Sequence, residues 1–403
     1  MGEGDRVTKN GNILFVIDKL FPYGEAFSSR ARNIVKLFKL CGYNSIIIAR
    51  RNNENDKEFE ENNDYICYRV NDPKSIFTLS GIGTEKPYME RIRYCINNYK
   101  IDFILSCNLP FVIEHIYKLA QKHNIPYIIE QCEWFDASSF KFKYLNPYYL
   151  ENMRMIKRKI SKLDGVIAIS NFLEKHYKSQ GLQVLKIPAI TDISEIKFRT
   201  ECDNNKKINL IFAGSLGKGK ENLKPLFEAI DELKDEIAVH VSIYGPNEEQ
   251  VKKNIDNDIE LFKSIENFVT IYGRIPQIEV EEKIRNADYA IIIRPKRKSS
   301  NAGFPTKLVE SLSVGTPVIA NKTGDIENYI ITEKNGYIAN NKDELKNILK
   351  KICLLSLKER ANMRMQARLT AENSFDYKLF VKETNAFINK IQKKEVKDGK
   401  RKI

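Results

Sequence analysis

The stretch Asn301-Ala302-Gly303-Phe304-Pro305-Thr306-Lys307-Leu308-Val309-Glu310-Ser311-Leu312-Ser313-Val314-Gly315-Thr316-Pro317-Val318-Ile319-Ala320 decides the fold. Pro305 suits the first position of a helix, where its missing N–H is no loss, and Gly315 suits the residue that ends one. The spacing predicts a short helix over 305–314, with Leu308, Leu312 and Val309 on its buried face, followed by an apolar strand over 317–320. Asn301-Ala302-Gly303 reads as a small open loop at the helix N-terminus, where backbone N–H groups can meet phosphate or sugar oxygens. Glu310 lies among core-facing neighbours, so its carboxylate is paired or functional unless it turns to solvent.

Outward from this point the same step repeats. Apolar, β-rich runs at 12–17, 45–49, 102–106, 126–130, 165–169 and 184–187 form a first series, and those at 208–213, 238–244, 268–272, 288–293, 317–320 and 336–339 a second. They lack period-two alternation, as expected of parallel strands covered on both faces. Helical patterns such as 28–39, 110–123 and 223–233 lie between them. The fold class is therefore α/β, with two doubly wound sheets. The break falls in the polar stretch 191–207, giving an N-terminal domain over 1–190 and a C-terminal domain over 206–375. Helices are expected at 343–355, 357–372 and 377–393, and the basic residues 394–403 read as a disordered tail.

Composition narrows the function. The chain has 403 residues, a soft prior for two domains. Hydrophobic residues at 42% and charged residues at 30% exclude a mostly disordered chain. The net charge of +13 is spread over both halves, which suits anionic ligands or an anionic membrane surface and does not indicate nucleic acid. No apolar run approaches the ~18 residues of a membrane span. The acidic start Met1-Gly2-Glu3-Gly4-Asp5 is not a signal peptide. Seven cysteines form no CxxC pair and four histidines are isolated, so thiols in a reducing compartment are expected, with no metal and no cofactor.

Three further segments could carry chemistry. Ala213-Gly214-Ser215-Leu216-Gly217-Lys218-Gly219-Lys220-Glu221 follows a strand and precedes a helix. It matches a P-loop except at its last position, where Glu221 replaces the Ser/Thr that would hold Mg²⁺; this disfavours an NTPase. Its small residues still let the backbone approach an anion and Lys220 adds a full charge, although a turn with a solvated lysine has the same pattern. Glu130-Gln131-Cys132-Glu133-Trp134-Phe135-Asp136 combines three carboxylates with the only tryptophan. It reads either as a sugar contact, with the indole stacked on a sugar face, or as a structural corner around a buried Trp134. The loop Phe21-Pro22-Tyr23-Gly24-Glu25-Ala26 has no GxGxxG, which disfavours a dinucleotide site. Finally, Leu150, Met153, Ile156, Ile160 and Leu163 keep helical spacing among Arg154, Lys157, Arg158, Lys159 and Lys162. This is either a helix lying on anionic lipid or a core helix with a solvated basic face.

Together these segments resemble the family 4 retaining glycosyltransferases (glycosyl transferases group 1), which have the GT-B fold. The strongest element is 305–320, similar to the donor-site helix ending in Glu-x4-Gly-x-Pro-Val-Ile; 212–220, Tyr244-Gly245-Pro246, Ala287-Asp288-Tyr289 and 164–170 support it. The resemblance implies two Rossmann-like domains facing a cleft, an acceptor side in the N-terminal domain, a donor side in the C-terminal domain, and a helix within 376–403 crossing back. It implies a retaining transfer of a hexose from a nucleotide-sugar, a UDP-sugar rather than a GDP-sugar, to a glycan or lipid-linked acceptor in cell-surface polysaccharide or glycoconjugate biosynthesis. The chain would then be cytoplasmic, with peripheral contact at the inner face of the membrane.

By this resemblance Glu310 binds the nucleotide ribose. The family's first glutamate falls at Ala302, so recognition of the sugar passes to the backbone amides at Gly303 and Phe304 and to Asn301. Lys220 matches the diphosphate-binding lysine, and Ser215 stands where its partner arginine often is, so Arg274 or Arg294 replaces that charge. Gly24 matches the loop glycine that approaches donor phosphate and acceptor, and Gly214 and Lys307 complete the donor set. Lys220, Glu310 and Glu133 are the candidates for the chemistry itself. A nucleotide-sugar epimerase of the same fold and a non-catalytic glycosyltransferase-like subunit are the rival readings.

Overall fold

The computed structural model describes residues 11–24, 26–51, 56–71, 85–107, 109–203, 207–217 and 220–399. Lys218 and Gly219 of the glycine-rich segment, and Glu25 of the first loop, lie outside these residues. The chain divides into two compact units, one of residues 1–191 with 377–403 and one of residues 192–376.

The first unit runs β1 (Gly11–Ile17), α1 (Ala26–Leu40), β2 (Tyr43–Arg50), β3 (Phe59–Glu61), β4 (Tyr65–Val70), α2 (Glu85–Asn98), β5 (Phe103–Cys107), α3 (Ile113–Lys122), β6 (Tyr127–Gln131), α4 (Pro147–Arg154), β7 (Gly165–Ala168), α5 (Asn171–Lys178) and β8 (Gln183–Lys186). Its sheet has the order β3-β4-β2-β1-β5-β6-β7-β8, parallel except for the β3–β4 pair. The sequence reading missed β3 and β4. Phe59-Glu60-Glu61 is short and acidic because it forms a sheet edge, where one flank of the backbone meets solvent.

The second unit runs β9 (Ile208–Ala213), α6 (Lys224–Leu233), β10 (Val239–Tyr244), α7 (Glu248–Asn254), α8 (Ile259–Ser264), β11 (Val269–Gly273), α9 (Gln277–Asn286), β12 (Tyr289–Ile292), α10 (Lys298–Ala302), α11 (Thr306–Ser313), β13 (Val318–Ala320), β14 (Gly336–Ile338), α12 (Lys342–Leu354) and α13 (Leu357–Ser374). Its sheet is fully parallel, in the order β11-β10-β9-β12-β13-β14. The chain starts at the centre with β9, winds outward through β10 and β11, then restarts beside β9 with β12. The loops leaving β9 and β12 therefore part to opposite faces and open a crevice at the strand C-termini, the usual ligand position in a doubly wound sheet.

The last helix, α14 (Val381–Gly399), belongs to the first unit, whose core takes in its Phe387, Ile388 and Ile391. Gly165 of β7 makes room for it, since a Cβ there would stand 2.7 Å from the Phe387 ring. The helix includes 394–399, which the sequence reading had assigned to a disordered tail; only 400–403 lie outside the described residues. The basic stretch 150–163 is not one amphipathic helix either. After α4 the chain makes a π turn over Met155–Lys159 and a 3₁₀ turn over Ile160–Lys162, and Met155, Ile156, Ile160 and Leu163 are buried. Apart from the exposed Leu150, its apolar side is core, so it is not free to lie on lipid.

Around the decisive motif the helix is α11, one residue shorter at each end than expected. Pro305 takes the capping position, and Leu308, Val309 and Leu312 are buried. The expected open loop is absent at Asn301 and Ala302, which close the short helix α10. The Asn301 N–H donates to Arg297 O at 3.1 Å and the Gly303 N–H to Ser299 O at 3.0 Å, and Ala302 is fully buried.

Candidate active site

The crevice between β9 and β12 gathers four of the donor-side candidates, Gly214, Arg294, Lys307 and Glu310. Gly214, immediately after β9, has φ +144°, a conformation that side chains rarely adopt, and a Cβ there would stand 2.2 Å from Lys307 Cε and 2.6 Å from its Nζ. The space that Gly214 leaves open is filled by the Lys307 side chain, which arrives from the first turn of α11. Its ammonium lies 4.0 Å from the centre of the Phe212 ring and 3.4 Å from Glu221 Oε1. Gly245, after β10, approaches just as closely: a Cβ there would meet Gly214 O at 2.2 Å.

Glu221 is the residue whose role the sequence reading missed. It is buried, and its second oxygen has no hydrogen-bond partner. Burial raises its pKa, against the pull of Lys307 and Arg294. Burial lowers the pKa of Lys307 in turn, while Glu221 and Glu310 hold it up. The segment carrying Glu221 is pinned from both sides: Asn222 N–H donates to Ile293 O at 2.8 Å, and Asn254 donates to Glu221 O at 2.9 Å. A lone acid in a glycine-rich turn followed by Asn-Leu was the available signal, but its partner lies 86 residues further along the chain.

Glu310 sits one helical turn beyond Lys307 and is half-buried. Burial raises its pKa, Lys307 draws it down, and Glu281 adds to the rise. Arg294, just past β12, donates from Nη1 to Ser300 O at 2.9 Å, and its backbone is tied to Asn321 in both directions. Burial lowers its pKa and Glu221 opposes that. The crevice thus holds Lys307, Arg294, Glu221 and Glu310 as two cations and two acids, largely out of water.

Other candidates stand apart from this group. Lys220 and Ser215 are exposed, and the Ser215 hydroxyl accepts the Gly217 N–H at 3.1 Å. Arg274, beyond β11, is exposed. Asn301 accepts the Gly324 N–H at 3.0 Å, and Phe304 packs its ring on Tyr329 and Phe375. The Gly303 amide, expected to meet the donor, is already committed to the α10 carbonyl ladder.

In the first unit, Gly24 lies in the loop after β1 with φ +149°, and Glu133 is exposed two residues beyond β6. Trp134 is buried against Phe172 and His176, centroids 5.8 and 5.2 Å away. This burial fits the structural corner of the two readings. Glu130, on β6, is fully buried and accepts Arg30 Nε–H at 2.8 Å. Cys107, Glu130 and Cys132 bring their ligand-type atoms within 4.8 Å of one another. A guanidinium already neutralises that carboxylate, and burial holds the Cys107 thiol well above its ordinary pKa, so the cluster is a poor cation site as it stands.

Residues 192–370 match the family model described as glycosyl transferases group 1. The second unit thus carries a group 1 glycosyltransferase domain over 192–370, and the two Rossmann-like units of the chain have the GT-B architecture. Among solved structures it is similar to sucrose-phosphate synthase from Thermosynechococcus elongatus, at 14% identity and TM-score 0.73, covering 95% of this chain and 99% of that one. It is also similar to Anabaena HepE in complex with UDP and glucose, at 15% identity and TM-score 0.66, covering 94% and 100%. A glycosyltransferase from Rickettsia africae matches at 17% identity and TM-score 0.67, covering 95% and 99%. No curated protein sequence matches the chain. Among the described residues no helix is long and apolar enough to cross a membrane.

Proposed function

We propose that the chain transfers a hexose from a UDP-sugar, with retention of anomeric configuration, to a glycan or lipid-linked acceptor in cell-surface polysaccharide or glycoconjugate synthesis. The observation that carries this reading is the Lys307 ammonium lying across Gly214 at the switch point of the donor-side sheet, one turn from Glu310. The difficult step is departure of the nucleoside diphosphate. Positive groups fixed where that charge grows, in surroundings drier than water, stabilise the transition state. Lys307 and Arg294 have this setting, and the exposed Lys220 can join them from the loop.

Glu310 accepts the ribose hydroxyls, for which it must be ionised; Lys307 opposes the burial that would protonate it. Glu133 and the Gly24 loop, at the C-terminal edge of the first unit's sheet, are the acceptor-side candidates. Binding of UDP and glucose by HepE supports the choice of nucleotide. With the cations supplied by the chain, turnover should persist in a chelator of divalent ions. The test is proton NMR of the chain incubated with UDP- and GDP-hexoses. Release of UDP is expected, the sugar appearing first in the configuration it had in the donor. An inverted first product contradicts retention, and turnover of GDP-sugars alone contradicts the choice of nucleotide.

A further inference from the structure

Lys307 is a cation in a place that disfavours one. Its side chain is 19% exposed, and it stands in the first turn of α11, which holds no acid and whose N-terminal end is electropositive. Arg294 adds a second positive charge to the same crevice. Desolvation, the helix end and Arg294 all favour loss of the ammonium proton, and a neutral amine attracts a diphosphate far less. Three groups oppose them. The Phe212 ring offers its face at 4.0 Å, Glu310 lies one turn on, and Glu221 is the one carboxylate within ion-pair distance among the described residues.

Glu221 is well anchored, yet its carboxylate is left half-used. Its carbonyl accepts Asn254 Nδ2–H at 2.9 Å, the Asn222 N–H donates to Ile293 O at 2.8 Å, and the Leu223 N–H donates to Asn254 Oδ1 at 2.8 Å. The side chain is 5% exposed; Oε1 meets Lys307 Nζ at 3.4 Å, and Oε2 has no hydrogen-bond partner among the described residues. A buried carboxylate with an idle oxygen costs stability, and an apolar pair of the same volume would serve folding as well or better. The arrangement makes sense through what Glu221 does to Lys307. An ammonium has three donors, and Glu221 takes one, which leaves the others for phosphate oxygens.

We propose that Glu221 is a positioning residue for the transfer: it keeps the Lys307 ammonium charged and fixed across Gly214, where the donor's diphosphate is received. The proposal rests on the reading that Lys307 meets that group. It gives Glu221 no contact with the nucleotide, because its action passes through Lys307. The charged groups around the pair are few. Lys307 is faced by Glu221, Glu310 and Arg294; Glu221 by Lys307, Arg294 and Lys220; and Glu310 also by Glu281. Among these acids only Glu221 reaches the ammonium, so removing its charge lowers the Lys307 pKa while Glu310 stays in place. The proton is then lost at lower pH, and with it the attraction for phosphate.

The test is calorimetric titration of UDP into the full chain between about pH 7 and about pH 9, where a lysine of lowered pKa changes charge. Glu221→Gln, which keeps the shape, should bind UDP about tenfold more weakly than wild type at the alkaline end. The gap should narrow as pH falls, since both proteins then carry a charged Lys307. Glu221→Asp keeps the charge and should keep the wild-type profile. In a Lys307→Met background, Glu221→Gln should not weaken UDP binding at any pH. That double variant has lost both charges together, so it is expected to fold even where Glu221→Gln alone does not. The side-chain carbon signal of Lys307 in lysine-labelled protein, assigned by its loss in Lys307→Met, should titrate at lower pH in Glu221→Gln without any nucleotide. Coincident UDP profiles of wild type and Glu221→Gln overturn the proposal and leave the UDP reading in place. An equal loss on Glu221→Gln with and without Lys307 also overturns it, by making Glu221 a direct ligand. An unmoved Lys307 signal overturns it without reference to nucleotide, and wild type that binds no nucleoside diphosphate overturns both readings.

Discussion

Lys307 depends on what Gly214 lacks. Its aliphatic stem occupies the volume a Cβ would take, so any side chain at 214 displaces the ammonium. Glu310 shows the opposite economy, for the role proposed for it opposes stability. Because burial dominates, its folded pKa lies above the unfolded value near 4.5, and ionisation is a cost of folding. The protonated form's advantage is complete below the unfolded pKa and lost as pH rises through the folded one. Glu310→Gln is therefore expected to raise the unfolding temperature of the ligand-free protein at neutral pH, with the gain fading towards pH 4. The same variant should weaken UDP binding by about 1.5–3 kcal/mol, the range for hydrogen bonds to a charged group. Thermal scans across pH, with and without UDP, check both; a variant less stable at neutral pH gives Glu310 a structural role. Glu310, Lys307 and Arg294 were legible in the sequence because helix and strand ends fix where they sit. Glu221 was not, because its meaning comes from a lysine far along the chain.

At the scale of elements, α13 positions the site helix. Arg360, Arg364 and Arg368 are spaced four residues apart, share one face of α13 and are all buried. Arg364 donates to Ala287 O and Arg285 O at 2.6 Å and to Arg199 O at 3.0 Å; Arg368 donates to Ser313 O at 2.6 Å; Arg360 pairs with Asp288. The Arg364 and Arg368 guanidiniums satisfy carbonyls at the C-terminal ends of α9 and α11, where the helix dipole is negative. Arg364→Ala should cost at least about 3 kcal/mol by leaving several buried carbonyls unpaired. Arg364→Lys should recover little of this, since an ammonium cannot reproduce the planar fork. Chemical denaturation measures both, and near wild-type stability of Arg364→Ala would contradict the role. The helix itself was legible at 357–372, but nothing in its local pattern says that its arginines face inward. The same limit explains 301–303, where a small, polar tripeptide fits an open loop and the end of α10 equally well.

At the scale of the molecule, continuous apolar runs were enough to show two parallel sheets, because strands covered on both faces cannot hide their composition. What composition cannot reveal is which distant segments complete a core, as α14 does for the first unit. The second unit carries the central claim, that its β9–β12 crevice holds the nucleoside diphosphate of the donor through Lys307 and Glu310. Calorimetric titration of UDP into wild type and Lys307→Met tests it most directly. Wild type is expected to bind with one site per chain, and Lys307→Met to bind about 10²-fold more weakly, the scale of one lost charge-stabilising contact in a dry site. Equal affinity of the two proteins for UDP would contradict the account.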